Sequence, residues 1–470
     1  MGPPGIGKTA IMEQIARECG VGLVAYTITH HTRQSAIGLP HIEKKVYDGK
    51  EVSVTEYTLS EIIASVYECM ERTGMEEGIL FIDEINCVSE TLAPTMLQFL
   101  QNKTFGSHKV PKGWMIVAAG NPAEYNKSVR EFDIVTLDRV RKIDIEIDCG
   151  VWMEYAWKAQ IHGAILSYLG IKEENFYRIE NTVDGKFFVT ARGWEDLSEI
   201  LKHYEALNVP VTKNLILQYL QNEQVAGDFA AYYQIYGKYG TDYGIKGILE
   251  GAVSSETYTQ KADMAKAGSF EERFTVVNLI LDYLNGQFCH YERVDNRTVI
   301  LHESLLRLKR YLEDKKDLEC LESFLDEQST GLEVRIQAEL IDDRTREDEI
   351  WVLEKLKEYS LFLRKNHVHD AAPGMDRIRE LFQAEAENRR VFADELLQRL
   401  DQAFRFVIDC FGEAQEMVLF VSGLTRNERA MDYISAHKCE SYLHYSDMLL
   451  YRKRERELQQ ECLREMERRI

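Results

Sequence analysis

The sequence predicts an α/β fold with a parallel sheet, followed by helices towards the end of the chain. A glycine-rich turn at residues 2–7 leads directly into a helical pattern. Two apolar runs, at 79–84 and 114–121, end in polar residues, as buried parallel strands do. From about residue 151 onward, apolar residues recur at helical spacing. These patterns together place a sheet-containing core before all-helical regions.

Size, charge and cysteine content restrict the class of protein. The 470 residues suffice for about two to four domains. The formal charge of −21 disfavours nucleic acid as a partner, because phosphate contacts need concentrated Lys and Arg. No apolar run approaches the ~18–20 residues of a membrane span, and no signal peptide is evident. The nine cysteines contain no C-x-x-C pair, which fits the reduced thiols of a cytoplasmic protein.

The first residues form a complete phosphate-loop pattern, G-x-x-x-x-G-K-T. Glycines let several backbone N–H groups surround an anion, and the following helix directs its positive dipole end at the same place. Lys8 is expected to reach the β- and γ-phosphates of a nucleotide, and Thr9 to offer its hydroxyl to Mg²⁺. The residues predicted to contact the nucleotide are Gly2, Pro3, Pro4, Gly5, Ile6, Gly7, Lys8, Thr9 and Ala10.

Residues 79–84 predict a buried strand that ends in two carboxylates. Such a strand presents its acids at the carboxyl edge of the sheet, where ligands bind in open α/β folds. We expect Asp83 to hold the Mg²⁺ shell and Glu84 to polarise the water that attacks the γ-phosphate. The alternative is a buried strand that runs into an acidic helix cap, which the phosphate loop upstream disfavours.

The run at 114–120 predicts another central strand with Asn121 at its tip. An Asn there can bridge the γ-phosphate and the attacking water. Gly-Asn-Pro by itself would be an ordinary turn. Because the run follows the acidic strand, we interpret Asn121 as a γ-phosphate sensor.

Arginines are the remaining candidates for phosphate contacts. Arg139 and Arg141 precede residues 142–147, whose alternation predicts an edge strand with one solvated face. A guanidinium there could reach the γ-phosphate of a neighbouring subunit as an arginine finger, or pair with nearby acids on the surface. Arg139 is favoured as the finger, and Arg141 stays open. Arg192, in the first turn of a predicted helix, is interpreted as a second sensor that couples the phosphate state to a helical lid.

The order of these motifs resembles that of an AAA+ ATPase. Three segments are similar to its MoxR-like branch, which is related to magnesium-chelatase and dynein-type modules: Asp83-Glu84-Ile85-Asn86, Gly120-Asn121-Pro122 and Leu137-Asp138-Arg139. The resemblance covers about the first 225 residues. It implies an α/β core, a small helical lid, and a homo-oligomeric ring, usually a hexamer, with ATP and Mg²⁺ at subunit interfaces. It also implies a von Willebrand A-type partner and a chaperone-like action on a protein client.

The surroundings of the motifs raise two further expectations. Residues 32–40 lie where this branch carries an inserted loop after its second strand. The first strand of the family precedes the phosphate loop and lies inside the sheet, whereas only Met1 precedes Gly2 here. Each buried backbone group without a partner costs about 1–3 kcal/mol. We therefore expect that the open reading frame starts further upstream, or that the chain is a fragment.

The predicted organisation is a nucleotide-binding core at 1–150, a helical lid at 151–226 and a helical region for a partner or substrate at 227–470. A break is predicted near 371–374, where Pro and Gly stop a helix. The tyrosine row at 229–243 suggests either a stacking platform for bases or an aromatic face packed on the lid. The acidic charge favours packing.

The favoured function is a ring-forming ATPase of MoxR type that remodels, matures or loads metal into partner proteins. A nucleic-acid-associated AAA+ NTPase of a restriction or replication system is the first alternative, and the acidic charge disfavours it. An inactive, truncated AAA+ scaffold is the second.

Overall fold

The computed structural model describes residues 1–30, 33–105, 108–125, 138, 140–182, 185–315, 320–337, 341–368 and 370–447. The chain divides into two compact units. Unit 1 contains the described residues of Met1–Asp148 and Tyr177–Asp196. Unit 2 contains those of Cys149–Phe176, Leu197–Gln337 and the residues from Ile341 onward.

Unit 1 is built around a parallel sheet of three described strands. Its helices and strands up to residue 118 are α1 (Lys8–Cys19), β1 (Gly22–Thr27), α2 (Arg33–Ile37), β2 (Pro40–Tyr47), β3 (Lys50–Tyr57), α3 (Glu61–Thr73), β4 (Gly78–Asp83), α4 (Ala93–Asn102), β5 (Thr104–Phe105), β6 (His108–Lys109) and β7 (Trp114–Ala118). The sheet has the order β1-β4-β7, with Thr27 beside Asp83 and Ile82 beside Ala118. The carboxyl ends of all three strands therefore meet at one edge.

Strand β4 is central because both of its faces are apolar. Ile79 and Phe81 pack with Ala16 of α1 on one face. Leu80 and Ile82 pack into the larger cluster formed with α3 and α4 on the other. Burial on both faces explains the continuous apolar run, since a strand covered on one side alone would alternate. This arrangement confirms the predicted α/β core with a parallel sheet.

The predicted edge strand at 142–147 is wrong. Residues 141–148 form no regular strand, and Ile143 is 72% exposed. Ile143 and Ile145 are joined by backbone hydrogen bonds to the single residue Met1, at 2.6 and 2.7 Å. A ladder needs several successive paired residues, so alternation in the sequence was not sufficient to make a strand here.

Between β1 and α3 the chain forms an antiparallel hairpin, β2–β3. Its turn at Asp48 and Gly49 has φ angles of 50° and 74°, the left-handed values that two-residue hairpin turns require. Most of its side chains are exposed on both faces, including Ile42 and Val46. A second hairpin in unit 1 pairs β8 (Arg178–Thr182) with β9 (Gly185–Val189). Helix α7 (Ala191–Ala206) begins directly after it.

Unit 2 is helical, and this confirms the prediction of helical regions after the core. Besides the later residues of α7, its helices are α5 (Cys149–Lys158), α6 (Gly163–Ile171), α8 (Lys213–Tyr219), α9 (Glu223–Tyr243), α10 (Ile245–Leu249), α11 (Ser255–Ala267), α12 (Phe270–Lys315), α13 (Cys320–Gln337), α14 (Asp343–Lys365), α15 (Ala371–Phe411), α16 (Gln415–Arg426) and α17 (Glu428–His437). None of the helices in the described ranges has the length and apolarity needed to cross a lipid bilayer.

The tyrosine row lies on α9 and is packed within unit 2. Tyr236 and Tyr243 are buried. The Tyr233 hydroxyl donates to Glu205, and the Tyr232 hydroxyl lies 3.2 Å from the Thr275 hydroxyl. These tyrosines therefore form part of the helical core, as the packing interpretation expected, and Tyr236 and Tyr243 present no open stacking surface.

Candidate functional site

Residues 2–10 form one continuous loop and the first turn of α1. Gly5 and Gly7 have φ angles of 72° and 85°, which side-chain-bearing residues rarely adopt. A Cβ at position 5 would also lie 2.8 Å from the Thr190 Cβ. The loop therefore needs glycine at position 5 for two independent reasons, its backbone conformation and the close approach of Thr190.

Two carbonyl groups of the loop accept hydrogen bonds from the segment of unit 1 around residues 177–192. The Tyr177 hydroxyl donates to the Pro4 carbonyl at 2.8 Å. The backbone N–H of Arg192 donates to the Gly5 carbonyl at 3.1 Å. These bonds fix the loop backbone, so a phosphate would meet a preformed turn.

Lys8 is held inside the loop by three oxygen acceptors. Its ammonium donates to the carbonyls of Gly2 and Pro3 at 3.0 and 2.8 Å, and to Asn121 Oδ1 at 2.7 Å. Burial lowers the pKa of Lys8, and the charge of Arg192 lowers it further, while the charge of Asp83 opposes the shift. A cation partly removed from water and surrounded by exchangeable oxygen partners is suited to bind a phosphate.

Asp83, at the end of β4, lies against Thr9. The Thr9 hydroxyl donates to Asp83 Oδ2 over 3.5 Å, a long bond. The other carboxylate oxygen of Asp83 accepts from the Glu84 backbone N–H at 2.8 Å. A hydroxyl and a carboxylate provide hard oxygen ligands of the kind that Mg²⁺ prefers. The pair therefore fits the ion that the sequence predicted here.

Glu84 has a left-handed backbone with φ 57°. Its Oε2 accepts a hydrogen bond from the Thr29 hydroxyl at 3.0 Å. Sequence reasoning missed Thr29, which lies in a short turn after β1. The register between β1 and β4, which pairs Thr27 with Asp83, brings the residues just beyond both strands together. The spacing of residues in the sequence does not specify this strand register, so the contact could not be predicted from it.

Asn121 meets Lys8 through its side chain and Asn86 through its backbone. The Asn86 side-chain amide donates to the Asn121 carbonyl at 2.7 Å. Asn86 is the second contact that was not predicted, although it lies in the segment similar to the MoxR-like branch. Asn121 is thus bonded to both the phosphate loop and the segment after the acidic strand.

Of the three candidate arginines, the structure describes Arg141 and Arg192. Arg139, the favoured arginine finger, lies outside the described residues. Arg141 is exposed. Arg192 begins α7 beside the phosphate loop, with its backbone bonded to Gly5 and its side chain exposed. Two pairs of predicted site residues are hydrogen-bonded directly, Lys8 with Asn121 and Thr9 with Asp83, and Glu84 follows Asp83.

Residues 1–139 match the model of the ATPase family associated with various cellular activities (AAA). A search of curated proteins found no match to this chain. The matched region includes the phosphate loop, the acidic strand and Asn121. Together with the loop geometry, the match supports an AAA+ ATPase domain in this chain, from a family that generally binds ATP and Mg²⁺.

Proposed function

We propose that this chain is an AAA+ ATPase of MoxR type. It would assemble into a homo-oligomeric ring, with six subunits as the favoured number, and couple ATP hydrolysis to the remodelling, maturation or metal loading of partner proteins. The observation that carries the ATPase proposal is the convergence of Lys8, Thr9, Asp83 and Asn121 from three separate segments at one sheet edge. AAA family members commonly form rings, which supports the oligomeric part.

The described residues divide the chemistry among them. Lys8 and the loop backbone would bind the β- and γ-phosphates, exchanging carbonyl partners for phosphate oxygens. Thr9 and Asp83 would hold Mg²⁺, which neutralises phosphate charge when bound. Asn121 would orient the γ-phosphate and the attacking water.

Glu84 would act as the base. The water oxygen forms a bond to the γ-phosphorus as its proton passes to the Glu84 carboxylate, and the bond to the β–γ bridging oxygen breaks, releasing ADP and phosphate. Arg139 of a neighbouring subunit would stabilise the charge that develops in this step. Arg192 would transmit the change to a lid, which we propose to comprise residues 151–226. Residues 227–470 would meet a von Willebrand A-type partner or the client.

The test is Glu84→Gln, which keeps the shape of the side chain and removes its basicity. We expect turnover to fall by about 10²-fold or more, while binding of Mg-ATP stays within about threefold of wild type, because the described hydrogen bonds of Glu84 go to Thr29 and Asp83 and not to the phosphate loop. Phosphate release and equilibrium nucleotide binding measure the two properties separately. Near-normal hydrolysis in this variant would remove Glu84 from its role.

A further inference from the structure

Asn86 is a buried polar residue with a hydrogen-bond partner at only one end of its side-chain amide. It lies in the turn Ile85–Cys87 just after β4 and is 3% exposed. Its Nδ2 donates to the Asn121 carbonyl at 2.7 Å. Its Oδ1 is buried and has no hydrogen-bond partner among the described residues. An unsatisfied buried oxygen costs about 1–3 kcal/mol, which the hydrogen bond donated to Asn121 has to offset, so stability alone does not explain an amide at this position.

The orientation of this amide is determined by its neighbours. The Asn121 carbonyl is an acceptor, so only the Nδ2 end of Asn86 can face it. The Oδ1 end is thereby turned towards Gly120, where an added Cβ would lie 2.5 Å from it. A side chain at position 120 would therefore force the Asn86 amide to move. Gly120, Asn121 and Asn86 fit together in one arrangement, which restricts the backbone on which Asn121 is mounted.

The bond from Asn86 continues a ladder beyond the ends of β4 and β7. The Ala119 N–H donates to the Ile82 carbonyl at 2.8 Å, and the Ile85 N–H donates to the Ala119 carbonyl at 2.9 Å. The Asn86 amide adds the next rung at Asn121, where the backbone no longer pairs regularly. The Asn121 side chain then accepts from Lys8 at 2.7 Å. A continuous series of hydrogen bonds thus runs from the acidic strand to the phosphate-loop lysine.

We propose that Asn86 is a positioning residue of the ATPase site. Its amide fixes the Asn121 backbone and so sets the place of the Asn121 side chain against Lys8 and the γ-phosphate. The proposal rests on the proposed ATPase function. It assigns Asn86 no contact with the nucleotide, so its effect is expected in the chemical step and not in nucleotide binding.

The experiment uses the full chain with Asn86→Leu, which removes both the donor and the unsatisfied oxygen, and with Asn86→Asp, whose carboxylate repels the Asn121 carbonyl. We expect kcat for ATP to fall by about tenfold or more in both variants, with KM and nucleotide affinity within about threefold of wild type. Asn86→Leu should unfold near the wild-type temperature, because it removes the unsatisfied Oδ1 but also leaves the Asn121 carbonyl without its donor. The matched control is Asn285→Leu. Asn285 is also a buried amide, and its Oδ1 accepts a hydrogen bond from Asn427 at 2.8 Å, outside the proposed site and lid. Its kcat should stay unchanged.

A double-mutant cycle tests whether Asn86 acts through Asn121. In an Asn121→Ala background, Asn86→Leu should change kcat by less than about twofold. An equal loss in both backgrounds overturns the proposal, as does a wild-type kcat in Asn86→Leu. If the wild-type chain hydrolyses ATP and Glu84→Gln does not, an unchanged kcat in Asn86→Leu overturns the positioning role alone. A wild-type chain without ATP turnover overturns both the proposed function and this inference.

Discussion

Both the backbone and the side chain of Glu84 are constrained. A left-handed φ of 57° is unfavourable for a residue with a Cβ, by about 1 kcal/mol or more. The carboxylate accepts a hydrogen bond from Thr29 at 3.0 Å. The carboxylate oxygen held by Thr29 has to leave this hydrogen bond before it can accept a proton from the attacking water. Thr29 therefore restrains the residue that we propose to activate water.

Thr29→Val removes the hydroxyl and keeps the β-branched shape. We expect the basal ATP turnover to rise by about two- to tenfold. This is only part of the about 1.5–3 kcal/mol that a hydrogen bond to a charged group contributes, because water can replace the exposed Thr29 hydroxyl. Steady-state phosphate release measures this. Thr73→Val, in which a helix hydroxyl bonded to the Cys69 carbonyl is lost, is the control and should leave turnover unchanged. Lower turnover in Thr29→Val would instead show that Thr29 holds Glu84 in its productive place.

The role of a residue could be predicted where the chemistry requires a given residue type at a fixed spacing. Lys8 and Thr9 follow the loop glycines in the chain, so the contact of Thr9 with Asp83 required only that the carboxyl end of β4 lie beside the loop. Thr29 and Asn86 could not be predicted in the same way. Their contacts depend on strand register and on turns after the strands, which residue spacing does not specify.

At the scale of elements, burial decided which predictions succeeded. The strand at 79–84 was predictable because helices cover both of its faces. The strand predicted from the alternation at 142–147 does not form, because no neighbouring strand pairs with these residues in the described part of the chain.

The structure also places Pro373 and Gly374 in the first turn of α15, with α14 ending at Lys365. Proline is tolerated there, because the first N–H groups of a helix have no partner to lose.

Three elements of unit 2 meet at Glu205 of α7. Burial would raise the pKa of this carboxyl, but hydrogen bonds from His162, which precedes α6, and from Tyr233 of α9 lower it below its usual 4.5. A lowered folded-state pKa means that ionised Glu205 stabilises the fold above the unfolded pKa. This contribution is lost as the pH falls through the folded pKa.

Glu205→Gln should therefore reduce the free energy of unfolding at neutral pH by about 0.5–1 kcal/mol, the range of an exposed ion pair, because the Glu205 side chain is half exposed. The difference from wild type should shrink as the pH falls below 4.5. Urea unfolding followed by the helical signal, at a series of pH values, measures it. A penalty that grows under those acidic conditions would contradict the attribution to the Glu205 charge. Glu347→Gln, at an exposed position of α14, is the control.

At the scale of the whole molecule, the order of an α/β core followed by helices was predictable from the change in apolar periodicity alone. The core chemistry followed from motif order. The biological role depends on partners, which neither periodicity nor motif order specifies. The proposed ring and its von Willebrand A-type partner therefore rest on the family match and the resemblance, and the ATPase rests on the site.

The most direct measurement is phosphate release from Mg-ATP by the full wild-type chain beside Lys8→Ala. We expect catalytic release by wild type and loss of both release and nucleotide binding in Lys8→Ala, because this ammonium is the cation held within the phosphate loop. Lys357→Ala, at an exposed position of α14, should behave as wild type. Absence of turnover in the wild-type chain, or equal turnover in Lys8→Ala, would refute the proposed ATPase.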